Sequence, residues 1–139
     1  MKVGVRPMPY RAEFDPANGI LLMQVEGRIT EESLTQIYQA VHTYSIATNA
    51  RAGIWDWSST TEIAVSSEFI RQLARQDPAM PDAIKRPSII VAPTMLTFGI
   101  SRMFQSLGGS TRPLQKVVHT MDEALAELGV QSPHFEPLY

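Results

Sequence analysis

The chain has 139 residues, enough to bury one hydrophobic core and too few for two ordinary domains, with 44% apolar and 19% charged residues and a net charge of −2. Charges of both signs are scattered without a basic block, which argues against nucleic acid as a partner, because a phosphate backbone is held by clustered Lys and Arg. The absence of cysteine excludes disulfides, thiol nucleophiles and thiolate metal sites together, and suits a reducing compartment.

Residues 1–139 are expected to form one domain, with a core from about residue 10 to residue 130 and irregular ends at "RPMP" and "QSPHFEPLY". The opening "MKVGVRPMPY" lacks the apolar run of a signal sequence, and no window approaches the ~20 apolar residues of a membrane span. A cytoplasmic location is the expectation.

The first element is a hairpin: "YRAEF" alternates in character, "DPANG" is a turn, and "ILLMQVEG" is apolar. From Thr30, the positions Leu34, Ile37, Tyr38, Val41 and Tyr44 or Ser45 recur at helical steps, with Thr30 as N-cap and Glu31 and Glu32 in the first turn. "AGIWDW" reads as a buried strand. Ser66 opens a second helical stripe through Phe69, Ile70, Leu73 and Ala74 that stops at Asp77-Pro78.

"RPSIIVAP" is a continuous apolar run between prolines and suits a strand covered on both faces. After Pro93 a third helix places Leu96, Ile100, Met103, Phe104 and Leu107 on one face, and Gly108-Gly109 ends it. "LQKVVHT" is the last strand. Thr120 and Glu123 match a capping box that leads into a helix closing at Leu128-Gly129. The order ββαβαβαβα predicts an α/β fold: a mixed, mostly parallel sheet with helices packed on it and one antiparallel strand from the opening hairpin.

This order, with "VEGRITEESL" and with "IIVAPTMLTFGISRMFQSL" followed by "KVVHTMDEAL", resembles the STAS domain, the fold of anti-sigma-factor antagonists. Within it, the chain is most similar to a divergent STAS/SEC14-like branch of small stand-alone bacterial proteins. The likeness spans about Tyr10 to Val130 and rests on patterns that carry a fold, not a catalytic signature. It implies a non-enzymatic protein-interaction or regulatory domain, with an unidentified protein partner and a homodimer as the expected state.

In STAS switch proteins a phosphorylatable serine opens the second helix, after an aspartate and before a glycine. Here "IAVSSEF" puts Ser66 or Ser67 at that place, with Ala64 or Val65 for the aspartate and Glu68 for the glycine. The switch motif is therefore degenerate, and helix capping is the expected role of these serines.

Ligands in open parallel sheets bind beyond the carboxyl ends of the strands. Asp56, Ser58, Ser66, Ser67, Thr94 and Thr97 are the candidate ligand-binding residues there, for a small apolar or anionic molecule that the protein would carry or sense. The plainer reading is that Asp56 orders its loop and the hydroxyls cap helices, since no glycine-rich phosphate loop accompanies them. His42, His119 and His134 fall in separate segments without metal-ligand spacing, so no metal or cofactor is expected. No nucleophile elbow supports a hydrolase. Trp55 and Trp57 share a face of their strand, opposite Asp56. Phe98 and Arg102, four apart and off the apolar stripe of the third helix, form a candidate interface as an exposed aromatic beside an arginine.

Overall fold

The hairpin forms as expected. Tyr10–Asp15 (β1) and Ile20–Thr30 (β2) pair antiparallel, from Tyr10 opposite Val25 to Asp15 opposite Ile20. Asp15 is fully buried and builds the turn: its carboxylate accepts the N–H groups of Ala17 at 3.1 Å and Asn18 at 3.2 Å and the Asn18 side-chain amide at 2.6 Å. The coordinates are a computed structural model, and residues 8–138 are the ones described. The amino-terminal part of "RPMP" lies outside them.

Beyond the hairpin the chain alternates Glu31–Thr48 (α1), Ala52–Ala64 (β3), Ser67–Arg75 (α2), Ser88–Val91 (β4), Met95–Gly108 (α3), Gln115–Val118 (β5) and Met121–Glu127 (α4), and ends in the short strand Glu136–Pro137 (β6). The six strands form one sheet in the order β5-β4-β3-β2-β1-β6, parallel from β2 to β5 and antiparallel at β1 and β6. The carboxyl-terminal segment was expected to be irregular. Instead it adds β6 to the edge of β1, where Leu138 donates to the Ala12 carbonyl at 2.8 Å and the His134 N–H reaches Asp15 at 3.3 Å. Pairing covers an edge that would otherwise expose a row of open backbone groups.

Alternation along the central strands divides the core. Leu21, Met23 and Val25 of β2 and Trp55 and Trp57 of β3 pack with α1, α2 and α3, whereas Ile20, Leu22, Ile54, Ile89 and Val91 pack with α4. On α1 the buried residues are Leu34, Ile37, Ala40, Val41 and Ser45, close to the expected stripe. Three helices therefore cover one face and one covers the other. Among the described residues, no helix is long and apolar enough to cross a membrane.

Two departures matter for the rim. β3 was expected to end near Trp57, yet it runs on to Ala64, and β2 passes through Gly27 to Thr30, so the two strands project as a ribbon past Val91, where β4 ends. The ribbon carries two register shifts, because Gln24 and Glu26 oppose Asp56 and Ser59, while Gly27 and Arg28 oppose Thr60 and Glu62. Each inserts one extra residue into β3, as in a β-bulge, and Gly27, on β2 beside the second one, has a left-handed φ of 77° that suits glycine. Asp56 therefore lies level with Val91, within β3 and not at its end.

The second departure is the orientation of α3. Its buried residues are the small Thr97, Ser101 and Gly108, while Ile100, Met103 and Phe104 are half-buried and Leu96 and Leu107 are 58% and 48% exposed. The small side chains are the ones turned inward. Gly108 has a specific reason: a Cβ there would stand 2.6 Å from a guanidinium nitrogen of Arg112 and 3.3 Å from the Ala74 carbonyl oxygen. The apolar stripe read from the sequence is thus partly turned to solvent.

Candidate functional site

The N-termini of all four helices lie at the carboxyl ends of the parallel strands, and each is closed by a hydroxyl. Thr30, Ser66, Thr94 and Thr120 accept the N–H groups of Ser33, Phe69, Thr97 and Glu123, each at 3.1 Å. In α3 the pairing is reciprocal, because the Thr97 hydroxyl also accepts the Thr94 N–H at 3.1 Å. The capping box expected at Thr120 is only half formed: the Thr120 hydroxyl donates to the Glu123 carboxylate at 3.2 Å, and the complete box lies at Thr94 and Thr97.

Ser66 is engaged twice. Its hydroxyl accepts from Phe69 and donates to Oε2 of Glu31 at 2.9 Å, and its backbone N–H donates to the same oxygen at 3.1 Å. Glu31 opens α1, so this carboxylate ties the start of the first helix to the start of the second. Ser67, the first residue of α2, is exposed.

Asp56 is buried, and its Oδ1 accepts both the N–H of Ser58 at 2.9 Å and the Ser58 hydroxyl at 2.6 Å. The aspartate thereby holds the first bulge of β3, a short-range turn of the kind Asp favours. The six candidate ligand-binding residues therefore divide into the Asp56–Ser58 bulge, the cap at Ser66 with the exposed Ser67 beside it, and the Thr94–Thr97 box. The hydroxyls of Ser58, Ser66, Thr94 and Thr97 are committed to local bonds.

The candidate interface also differs from expectation. Phe98 is half-buried and not exposed, because the ring of His119, at the end of β5, stacks on it with centroids 4.3 Å apart and planes 6° from parallel. Arg102 is exposed as expected. The apolar side chains open to solvent at this rim are Met95, 93% exposed, and Leu96.

A second feature had no counterpart in the sequence reading. Arg112, in the turn after α3, is only 5% exposed and lies under the carboxyl end of α2. Its guanidinium donates to the carbonyls of Ala74 at 2.9 Å, Gln76 at 3.0 Å and Leu73 at 3.4 Å, and to the Tyr38 hydroxyl at 2.9 Å, with its carbon 4.7 Å from the centroid of the Phe104 ring. A cation there satisfies the open carbonyls of the last turn and the negative end of the helix dipole. The Tyr38 hydroxyl in turn donates a hydrogen bond to the Asp77 carbonyl. Burial raises its pKa even against the nearby Arg112, so the hydroxyl stays protonated at neutral pH. An isolated arginine in "GGSTRPLQ" carries no periodic signal, which is why chain-order reading passes over it.

Beside Arg112, between the sheet and the three-helix face, lies a cavity of about 70 Å³ walled by Trp55, Trp57, Ile70, Ile90 and Phe104, among others. Among the described residues, no group of three His, Asp or Glu side chains is placed to hold a metal ion.

No protein-family model and no curated protein matches the chain. Solved structures do. The anti-sigma factor antagonist SpoIIAA in its unphosphorylated form is 16% identical, with a TM-score of 0.58 over 88% of this chain and 99% of that one. The Bacillus cell fate determinant SpoIIAA in its phosphorylated form is 18% identical, with a TM-score of 0.52 over 86% and 98%. An anti-sigma factor antagonist from Mycobacterium paratuberculosis is 17% identical, with a TM-score of 0.54 over 91% and 99%. The chain has the fold of these proteins, the STAS fold that its order of elements resembles.

Proposed function

We propose that the protein is a non-enzymatic regulatory module of the cytoplasm that acts by binding another protein at the carboxyl-end rim, without a working phospho-switch. The observation that carries this reading is the double engagement of Ser66 between Phe69 and Glu31. A phosphate on that oxygen would place roughly two negative charges beside the Glu31 carboxylate and break the bond the hydroxyl donates to it. The neighbour SpoIIAA occurs in phosphorylated and unphosphorylated forms; here the serine at the start of α2 is a joint between two helices.

A protein partner is supported by the fold shared with antagonists of anti-sigma factors and by the apolar surface of Met95 and Leu96, next to the Phe98–His119 stack and about two turns from Arg102. A second copy of the chain would use the same surface. Carriage of a small ligand at the rim has less to recommend it, because four of the rim hydroxyls are already paired.

The test is affinity capture from the protein's own cells, with intact-mass analysis of the bait and native mass spectrometry for a dimer. The expected result is an unphosphorylated bait whose partner is lost in a folded Met95→Asp/Leu96→Asp variant and kept in Ser66→Ala. A stoichiometric phosphopeptide covering Ser66 and Ser67, with a partner that binds one phosphorylation state only, would replace this reading with a switch.

A further inference from the structure

Leu96, Ile100, Met103 and Leu107 recur along α3 at steps of four, three and four, which sets them within about 60° of arc over some three turns. Leu96 and Leu107 are exposed and Ile100 and Met103 half-buried, so the row runs along the shoulder of the helix and not beneath it. The anchors of α3 fix its direction. Phe98 and Gln105 turn toward β5, where they meet His119 and the Gln115 carbonyl, whereas Ile100 and Phe104 join the core cluster that holds Ile70 and Leu73 of α2. The apolar row therefore borders the groove between α2 and α3.

Cations stand on both sides of it. α2 and α3 lie side by side on one face of the sheet with both N-termini at the rim, so an equal rotation about each axis points the same way. By that rotation Arg71 and Arg75 occupy the flank of α2 turned to α3, away from Phe69, and Arg102 closes the far side of the α3 face beyond Met95 and Ser106. All three arginines are exposed. Arg71 reaches Glu68 only at 3.8 Å in an open surface pair, and Arg75 and Arg102 make no ion pair among the described residues. The other two helices have the opposite sign: α1 carries Glu31 and Glu32 and α4 carries Asp122, Glu123 and Glu127, with no lysine or arginine on either.

An apolar row with this spacing is met by a second helix laid alongside, whose own apolar residues at three- and four-residue steps fill the groove. Cations on both borders select acidic flanks on that helix. A second copy of the chain fits less well, because either two-fold arrangement of two such faces sets arginine against arginine. We infer that the α2–α3 groove docks an acidic amphipathic helix of another protein, its apolar side on Leu96, Ile100, Met103 and Leu107 and its carboxylates toward Arg71, Arg75 and Arg102. This rests on the proposed binding of a protein at Met95 and Leu96, and adds the form and the charge of that partner.

The probe is a displayed library of helices of about 18 residues, with leucine fixed at steps of four, three and four and the flanking positions drawn from Asp, Glu, Lys, Arg, Gln and Ser. Selection on the full chain is expected to return helices whose flanks are mainly Asp and Glu. A synthetic peptide of a recovered sequence should bind saturably and weaken as salt rises. It should lose about tenfold in affinity for Arg71→Glu/Arg102→Glu and all saturable binding to Leu96→Asp. Exchanging the peptide's Asp and Glu for Lys should restore binding to the Arg71→Glu/Arg102→Glu variant, which a disturbed fold would not do. If that variant melts well below the parent, Arg71→Gln/Arg102→Gln carries the same sign with a smaller loss. Basic or neutral flanks among the recovered helices, no recovered helix at all, or an affinity indifferent to the arginine substitutions would overturn the assignment. So would a homodimer in native mass spectrometry that Leu96→Asp dissociates. The two proposals fail separately: a partner captured from the protein's own cells that is lost in Met95→Asp/Leu96→Asp but kept in Arg71→Glu/Arg102→Glu would refute the acidic helix and leave binding at the rim standing.

Discussion

Replacing Arg112 by methionine keeps an unbranched stem against Phe104 and removes every hydrogen bond the guanidinium makes. The carbonyls of Ala74 and Gln76 and the Tyr38 hydroxyl lose donors at 2.9, 3.0 and 2.9 Å. Hydrogen bonds to a charged group contribute about 1.5–3 kcal/mol each, and the cost of burying the cation offsets part of their sum. The net expected loss is about 3–5 kcal/mol, a large share of a total stability of roughly 5–15 kcal/mol. Arg112→Lys keeps the charge but not the planar fork, and is expected to fall midway. Urea unfolding followed by circular dichroism measures both, with an unchanged slope as the sign that only stability has moved. Gly108→Ala supplies an independent arm: its Cβ would stand 2.6 Å from the Arg112 guanidinium, so its cost should shrink in the Arg112→Met background. A loss below about 1 kcal/mol for Arg112→Met, or parental stability for Arg112→Lys, would refute the capping role of the arginine.

Ser66→Ala removes the N-cap of α2 and a bond to Glu31, and should cost about 0.5–2 kcal/mol in the same assay, while Ser67→Ala should be nearly silent. The Asp15 carboxyl is pushed up by burial but pulled further down by its bonds from Asn18, His134 and Ala17, so its pKa is lowered on folding. Its contribution is therefore complete above the usual carboxylate pKa and is lost as pH falls through the lowered folded value; in urea melts at a series of pH values, Asp15→Asn should flatten that acid limb. Ile89 is 1% exposed between β4 and α4, and Ile89→Asp should leave no cooperative melt, because an unpaired buried carboxylate costs several kcal/mol.

The elements that could be read along the chain are those whose signal is local. Thr30, Ser66, Thr94 and Thr120 announce helices because a cap needs only its own first turn, and each serves as the N-cap in the structure. The parallel strands follow from the crossovers. What was misjudged depends on partners distant in sequence. "SSTTEIA" looks like a hydroxyl-rich loop, yet it is strand because β2 runs on beside it, with the Arg28–Glu62 ion pair at 2.9 Å and the Thr60 hydroxyl on the Val25 carbonyl at 3.1 Å. Hydrophobicity alone places the whole apolar stripe of α3 inward. The helix turns its small residues Thr97, Ser101 and Gly108 inward, with Gly108 against Arg112 and the Ala74 carbonyl of α2, and Phe98 is covered by His119, which follows β5. Of the candidate site, the capping residues could be foreseen; the cavity could not, since Tyr38, Trp57, Arg112 and Gln115 come from four separate segments.

Where hydrogen-bonding capacity is spent decides where a ligand can add to it. At an open carboxyl-end rim, helix amides and hydroxyls that await a partner are what hold an anion. On this rim an anion at α2 would have to displace the Ser66 hydroxyl from the Phe69 amide and tolerate the Glu31 carboxylate beside it, and one at α3 would have to open a reciprocal Thr94–Thr97 pair. Either exchange replaces bonds already made, so the gain is small. A surface that has satisfied itself in this way leaves shape and apolar contact at Met95 and Leu96 as the means by which the proposed protein partner would be met.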